Sequence, residues 1–170
     1  MTAWYGDGMN HEEIMGVAIG VAVEAVSRGE LPFAAVLADA HGRVVLSEHD
    51  RVFEKEDPTQ HAESRLVRMA CRHYGPDLSQ FSLYTTCEPC AMCFTSAWLA
   101  GIRRIVTGTN MAAVHERSGG RHREMLMPAA RMNECTGGDV ELLEGVLAKA
   151  CLTLFREDMF LEHRPGEIPF

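Results

Sequence analysis

The chain is 170 residues long, 46% hydrophobic and 24% charged, which is the length and composition of one ordinary globular domain and excludes a collagenous, repeat-built or wholly disordered protein. Sixteen basic residues against 24 acidic ones give a formal charge of −8, and with no cluster of Lys and Arg to offset it, this surface argues against nucleic acid as a partner. No stretch approaches ~18 uninterrupted apolar residues, and the start MTAWYGDGMNHEE lacks a basic segment leading into an apolar run, so a soluble, cytoplasmic protein with no membrane partner is expected.

Apolar residues at Ile14, Val17, Ala18, Val21, Ala22, Ala25 and Val26 form a helical stripe, predicting a first helix over His11 to Arg28 that stops at Gly29. Leu31 to Leu37 and Arg43 to Leu46 read as a two-stranded hairpin around Asp39 to Gly42, followed by a polar loop from Arg51 to Asp57. Asp57 as cap, Pro58 at the first helical position and Gln60 two residues on predict a second helix running to Tyr74. Phe81 to Thr85 is a third strand, and Glu88-Pro89 opens a third helix that runs to Ala100. Arg103 to Thr107 is a fourth strand. Asn110 to Gly137 reads as a short helix and a long loop, with Val140 to Leu143 as a fifth strand and Gly145 to Arg164 as a last helix before a tail from Pro165. This order predicts an α/β fold of three α-β-α layers, a five-stranded mixed sheet with helices on both faces, in a single domain spanning residues 1–170.

Six cysteines in a chain long enough to build its own core need not form disulfides. Three of them crowd at Cys87, Cys90 and Cys93, and in a reducing compartment such crowding points to a metal. Cys90 and Cys93 stand three apart at a helix start, so both sulfurs lie on one face, and soft sulfur with one imidazole suits zinc. His61 as third ligand leaves a fourth tetrahedral position for water, the arrangement of a catalytic site. Glu63, two residues beyond His61, points away from it on a helix, cannot chelate beside it, and is placed instead to carry protons. A closed structural site with Cys87 as fourth ligand is the competing arrangement, and it leaves Glu63 without a role.

The residues Asp57-Pro58-Thr59-Gln60-His61-Ala62-Glu63 and Thr86-Cys87-Glu88-Pro89-Cys90-Ala91-Met92-Cys93 carry the H-x-E and P-C-x-x-C signature of zinc nucleobase deaminases. They resemble the cytidine deaminase-like superfamily, most closely the branch of guanine deaminases and tRNA adenosine deaminases. The resemblance implies one zinc per chain on His61, Cys90 and Cys93, Glu63 as catalytic proton shuttle, hydrolytic release of ammonia, and a homodimer. It also implies a substrate hydrogen bond from the Ala62 backbone. Phe33, Asp50 and Glu88 join Ala62 as candidate substrate-binding residues, Phe33 as a surface on which a flat ring could stack. Asp50 stands where relatives usually carry Asn, and because an ionised carboxylate only accepts hydrogen bonds, it calls for a substrate presenting N–H donors.

The expected activity is deamination of a small amino-substituted heterocycle, guanine or a related aminopurine or aminopyrimidine. The alternatives are a tRNA adenosine deaminase and a non-catalytic zinc-stabilised interaction domain. Cys71, Cys135 and Cys151 read as core residues, and His49, His73 and His163 as surface ones. His115 and His122 read as polar loop residues that could line a substrate entrance. Trp98 and the methionines Met125, Met127 and Met132 read as packing a core or a subunit interface.

Overall fold

The computed structural model describes residues 8–160. A five-stranded mixed sheet runs in the order β2-β1-β3-β4-β5, built from β1 (Ala34–Ala38), β2 (Val44–His49), β3 (Ser82–Cys87), β4 (Arg104–Thr109) and β5 (Glu141–Leu143). β1 pairs antiparallel with β2 and β3, whereas β3, β4 and β5 are parallel. The helices are α1 (His11–Ser27), α2 (Val52–Lys55), α3 (Ala62–Tyr74), α4 (Ala91–Leu99), α5 (Met111–Arg117), α6 (Ala129–Cys135) and α7 (Ala148–Leu154), with a 3-10 turn at Glu157–Phe160.

The period-2 alternation of buried strands sorts the core into two layers. Ala35, Leu37, Leu83 and Ile105 pack with Leu66, Ala70, Phe94 and Ala97 on the face covered by α3 and α4. Val36, Ala38, Tyr84 and Val106 pack with Ile14, Met15, Ala18 and Cys151 on the face covered by α1 and α7. Gly108 on β4 is required by that second layer, since a Cβ there would meet the Sγ of Cys151 and come within 2.6 Å of the Thr86 carbonyl oxygen. At the start of α1, the Asn10 side chain accepts the Glu13 N–H at 3.2 Å, a cap that holds this helix in place.

Several boundaries differ from the sequence expectation for local reasons. Pro58 opens a turn and not the helix: the Asp57 carboxylate takes the Thr59 N–H (2.8 Å), the Thr59 hydroxyl (2.7 Å) and the Gln60 amide (2.6 Å), so α3 begins only at Ala62. The polar loop after β2 contains the short helix α2, whose first N–H groups are received by Asp50 and Glu30. The region from Asn110 to Gly137 holds two short helices with residues 118–128 between them. The last helix ends at Leu154, because Phe155 leaves it in an extended conformation to bury itself and Phe160 beside Cys87, Cys90 and Cys93; residues 161–164 and the tail lie outside the described residues. His49 is buried, with its Nδ1 2.6 Å from the Asp50 carbonyl oxygen, and Cys135 is exposed. Met125 and Met127 are 64% and 38% exposed, whereas Met132 does pack on the core. Among the described residues no helix is long and apolar enough to cross a membrane.

Candidate metal centre and active site

Two helix starts meet at the centre of the site. His61 is the N-cap of α3 and Cys90 the N-cap of α4, both in extended conformation, so each backbone turns from strand-like to helical at a candidate ligand. Cys93 follows in the first turn of α4. The Nδ1 of His61 lies 3.5 Å from the Cys90 Sγ and 3.6 Å from the Cys93 Sγ, and all three atoms lie within 4.8 Å of one another.

These distances fit zinc. With Zn–S of about 2.3 Å and Zn–N of about 2.0–2.1 Å at tetrahedral angles, the N···S edge of the coordination polyhedron is about 3.6 Å. Among the described residues, His61, Cys90 and Cys93 form the group whose donor atoms converge in this way. Cys87 is buried at the end of β3, paired with Thr109 of β4, and stands outside that group.

The three donors shift one another's protonation. The hydrogen bond from Cys93 holds the Cys90 thiol down to about 5 against its burial, with His61 helping. Sharing that proton with Cys90, and burial, raise Cys93 above the usual thiol range. Burial opposes a charged His61, but Cys90 and then Glu63 outweigh it and lift the imidazole to about 9. Each of the three groups is thus shifted by the others, so the donors are electrostatically linked, as ligands of one cation are. The Ser64 hydroxyl, itself buried, lies 3.3 Å from the Cys93 Sγ.

Glu63 is buried, 7% exposed, in the first turn of α3. Burial and then the Cys90 charge push its carboxyl up to about 7, which suits a group that must both take and give a proton near neutral pH. Ala62 beside it is fully buried.

The remaining sequence candidates are placed as follows. Asp50 is 4% exposed, its backbone N–H donates to the Phe33 carbonyl (2.9 Å), and its Oδ1 receives the Val52 N–H (3.0 Å). Burial raises its carboxyl to about 6. The Phe33 ring stacks on His122, with centroids 5.1 Å apart, and meets Phe155 at 4.9 Å. Glu88 receives backbone N–H groups on both carboxylate oxygens, from Met111 at 3.1 Å and Ala129 at 2.7 Å. Its carboxylate is therefore engaged with two helix starts, which sequence reasoning missed because both partners are more than twenty residues away along the chain. His122 comes to the site as an aromatic neighbour of Phe33, and its only sequence signal was a polar residue in a long glycine-containing loop.

Residues 9–109 match the cytidine and deoxycytidylate deaminase zinc-binding region. The probable cytosine deaminase of Schizosaccharomyces pombe is 37% identical over 105 residues, 60% of this chain and 64% of that protein. The tRNA-specific adenosine deaminase of Aquifex aeolicus is 33% identical over 113 residues, 66% of this chain and 72% of that one. The X-ray structure of the guanine deaminase from Bacillus subtilis is 34% identical with a TM-score of 0.60, covering 64% of this chain and 69% of that one. The chain thus spans less than two thirds of the length of the S. pombe protein. Three donor atoms at zinc-ligand spacing, a buried carboxyl beside them and a family match across most of the sheet lead to one conclusion: the chain belongs to the cytidine and deoxycytidylate deaminase zinc-binding family.

Proposed function

We propose that this protein is a zinc-dependent hydrolytic deaminase of a small amino-substituted heterocycle, guanine or a related aminopurine or aminopyrimidine. The observation that carries the reading is the convergence of His61, Cys90 and Cys93 on one point with the buried Glu63 beside them. Zinc held by these donors supplies the Lewis acidity that makes water nucleophilic at neutral pH. Glu63 takes the proton that water gives up as its oxygen adds to the amino-bearing carbon. It gives that proton to the ring nitrogen, then takes the second proton from the hydroxyl so formed and passes it to the departing amine, so that ammonia leaves and a carbonyl remains. In this reading the Ala62 N–H, at the open start of α3, holds the ring in register, and the Asp50 carboxylate accepts from a ring N–H.

A tRNA adenosine substrate is the second reading, favoured by the likeness to the Aquifex aeolicus enzyme and opposed by the formal charge of −8, since an RNA stem calls for a basic footprint. The deciding experiment measures ammonia release from guanine, cytosine, isocytosine, diaminopyrimidines, the matching nucleosides and tRNA, alongside Glu63→Ala. The expected result is turnover of at least one free base, lost by ~10² or more in Glu63→Ala while zinc content and fold persist. Full activity in Glu63→Ala, or turnover of tRNA alone, would overturn the proposal.

A further inference from the structure

Asp50 follows β2, an edge strand of the sheet, yet all but one of its hydrogen-bonding atoms are engaged. Its N–H donates to the Phe33 carbonyl (2.9 Å). Its carbonyl receives the Nδ1–H of His49 (2.6 Å), although the Nε2 of that ring is buried with no partner among the described residues. Its Oδ1 receives the Val52 N–H (3.0 Å), and among the described residues Oδ2 takes no partner. The direction of that free oxygen therefore depends on where α2 holds the Val52 N–H.

Glu30 decides this. It is buried just past Gly29, which ends α1 with a φ of +83°, and its N–H turns back to the Ala25 carbonyl (3.0 Å). Its Oε2 receives the Phe53 N–H (3.1 Å) and its Oε1 the Glu54 N–H (2.7 Å). The N–H groups that open a helix have no partner inside it, and here Asp50 and Glu30 take all three of those of Val52, Phe53 and Glu54. Burial is the main reason the Asp50 carboxyl is raised, and the Glu30 charge raises it further, so the two carboxylates act on each other across α2. The far end of the same loop is anchored separately. The Arg51 N–H donates to the Gln60 carbonyl (3.1 Å), and the Gln60 side chain is held by Asp57 (2.6 Å) and by Arg65 (2.6 Å), which also reaches Glu48 of β2 (2.9 Å). His61 follows Gln60 directly, and the Glu30 carboxylate takes no part in this second anchor.

We propose that Glu30 is a positioning residue for the substrate side of the site: by fixing the start of α2 it holds Asp50 so that the free Oδ2 faces the bound ring, while the metal side is left to Asp57, Gln60 and Arg65. The inference rests on the deaminase reading, in which Asp50 accepts from a ring N–H. It assigns a role in substrate binding to a side chain that touches neither the substrate nor the metal ligands, and it divides the loop from Arg51 to Gln60 into two independently anchored ends.

The test uses the zinc-loaded full chain with guanine, cytosine and isocytosine as probes. Turnover and equilibrium dialysis are compared for wild type, Glu30→Gln, Asp50→Ala and the double variant. Glu30→Gln offers one accepting oxygen where two N–H groups arrive. It is expected to raise KM for the base turned over by ~10-fold, the loss of one hydrogen bond to a charged acceptor, with kcat within ~3-fold and zinc per chain unchanged. In the Asp50→Ala background the same change is expected to move KM by less than ~2-fold, because a residue that acts through Asp50 then has nothing to act on. Where Glu30→Gln does not fold, Glu30→Asp, which keeps the charge and shortens the reach, carries the same comparison. A KM that does not move, an equal loss with and without Asp50, or zinc lost together with the rise in KM overturns the inference. If bases bind with this Asp50-dependent effect of Glu30 but none is turned over, the deaminase reading falls and the positioning role stands. If a base is turned over and Glu30→Gln leaves its KM unchanged, the positioning role falls and the deaminase stands. Binding of none of the three bases overturns both.

Discussion

The hydroxyl of Ser64 lies 3.3 Å from the Cys93 sulfur, with both side chains buried. Once Cys93 ligates as a thiolate, that hydroxyl can only donate to it, offsetting the cost of a buried sulfur charge and fixing its direction. Outer partners of this kind typically contribute 10–100-fold in metal affinity. Ser64→Ala is expected to weaken zinc retention by ~10-fold or more in a chelator competition, while the circular dichroism spectrum stays that of the wild type. Equal retention in the two proteins would show that the contact has no energetic consequence.

Removal of zinc should be felt by the whole fold. The ligands bridge the starts of α3 and α4, and these helices cover one face of the sheet. Because a metal that binds only the folded state adds its binding free energy to stability, dialysis against a strong chelator should lower the melting temperature by several degrees. Readdition of one equivalent of zinc should restore it. A melting temperature indifferent to the chelator, at confirmed zinc loss, would contradict this.

Asp50 predicts a particular pH dependence. Burial raises its carboxyl from an ordinary 3.8 to about 6, so the folded chain holds this proton more tightly than the unfolded chain does. The stability it contributes is fully present below the unfolded value and is lost as pH rises toward 6; above that a constant penalty remains. Asp50→Asn keeps an oxygen for the Val52 N–H and removes the charge. Urea unfolding should therefore show the variant more stable than wild type at pH 8, by up to ~3 kcal/mol for two pKa units, with the difference shrinking toward pH 4. A difference independent of pH would contradict it.

Gly108 provides a packing test away from the chemistry. An added methyl would collide with Cys151 of α7 and with the backbone oxygen of Thr86 on β3, and neither can withdraw without moving an element. Gly108→Ala should destabilise by ~1–3 kcal/mol or more, read as a lowered urea midpoint. Cys151→Ala in the same chain should relieve only part of that loss, because the backbone oxygen remains.

The metal motif and the sheet were legible because each rests on short-range rules. Cys90 and Cys93 carry a spacing that a helix start brings to one side, His61 stands at a second helix start, and Leu83 and Tyr84 alternate between two apolar layers as a strand must. What the sequence hid depends on partners far along the chain or on competing local bonds. Asp57 looks like a helix cap, yet its carboxylate is saturated by the Thr59 and Gln60 turn. Glu88 looks like a pocket residue, yet it serves backbone donors 23 and 41 residues away. Phe155 continues a helical stripe, but burial beside the cysteines draws it out of the helix.

The double grip of Glu88 has an engineering consequence. Because its two contacts are made to main-chain groups, they place no demand on which side chains occupy the stretch between Met111 and Ala129. The stretch is tied to the site by other contacts, because Val114 packs in one cluster with Cys90 and Cys93 and His122 lies on Phe33. Its exposed positions, such as Arg123, Met125 and Leu126, are where side chains can be exchanged with the grip of Glu88 unaltered.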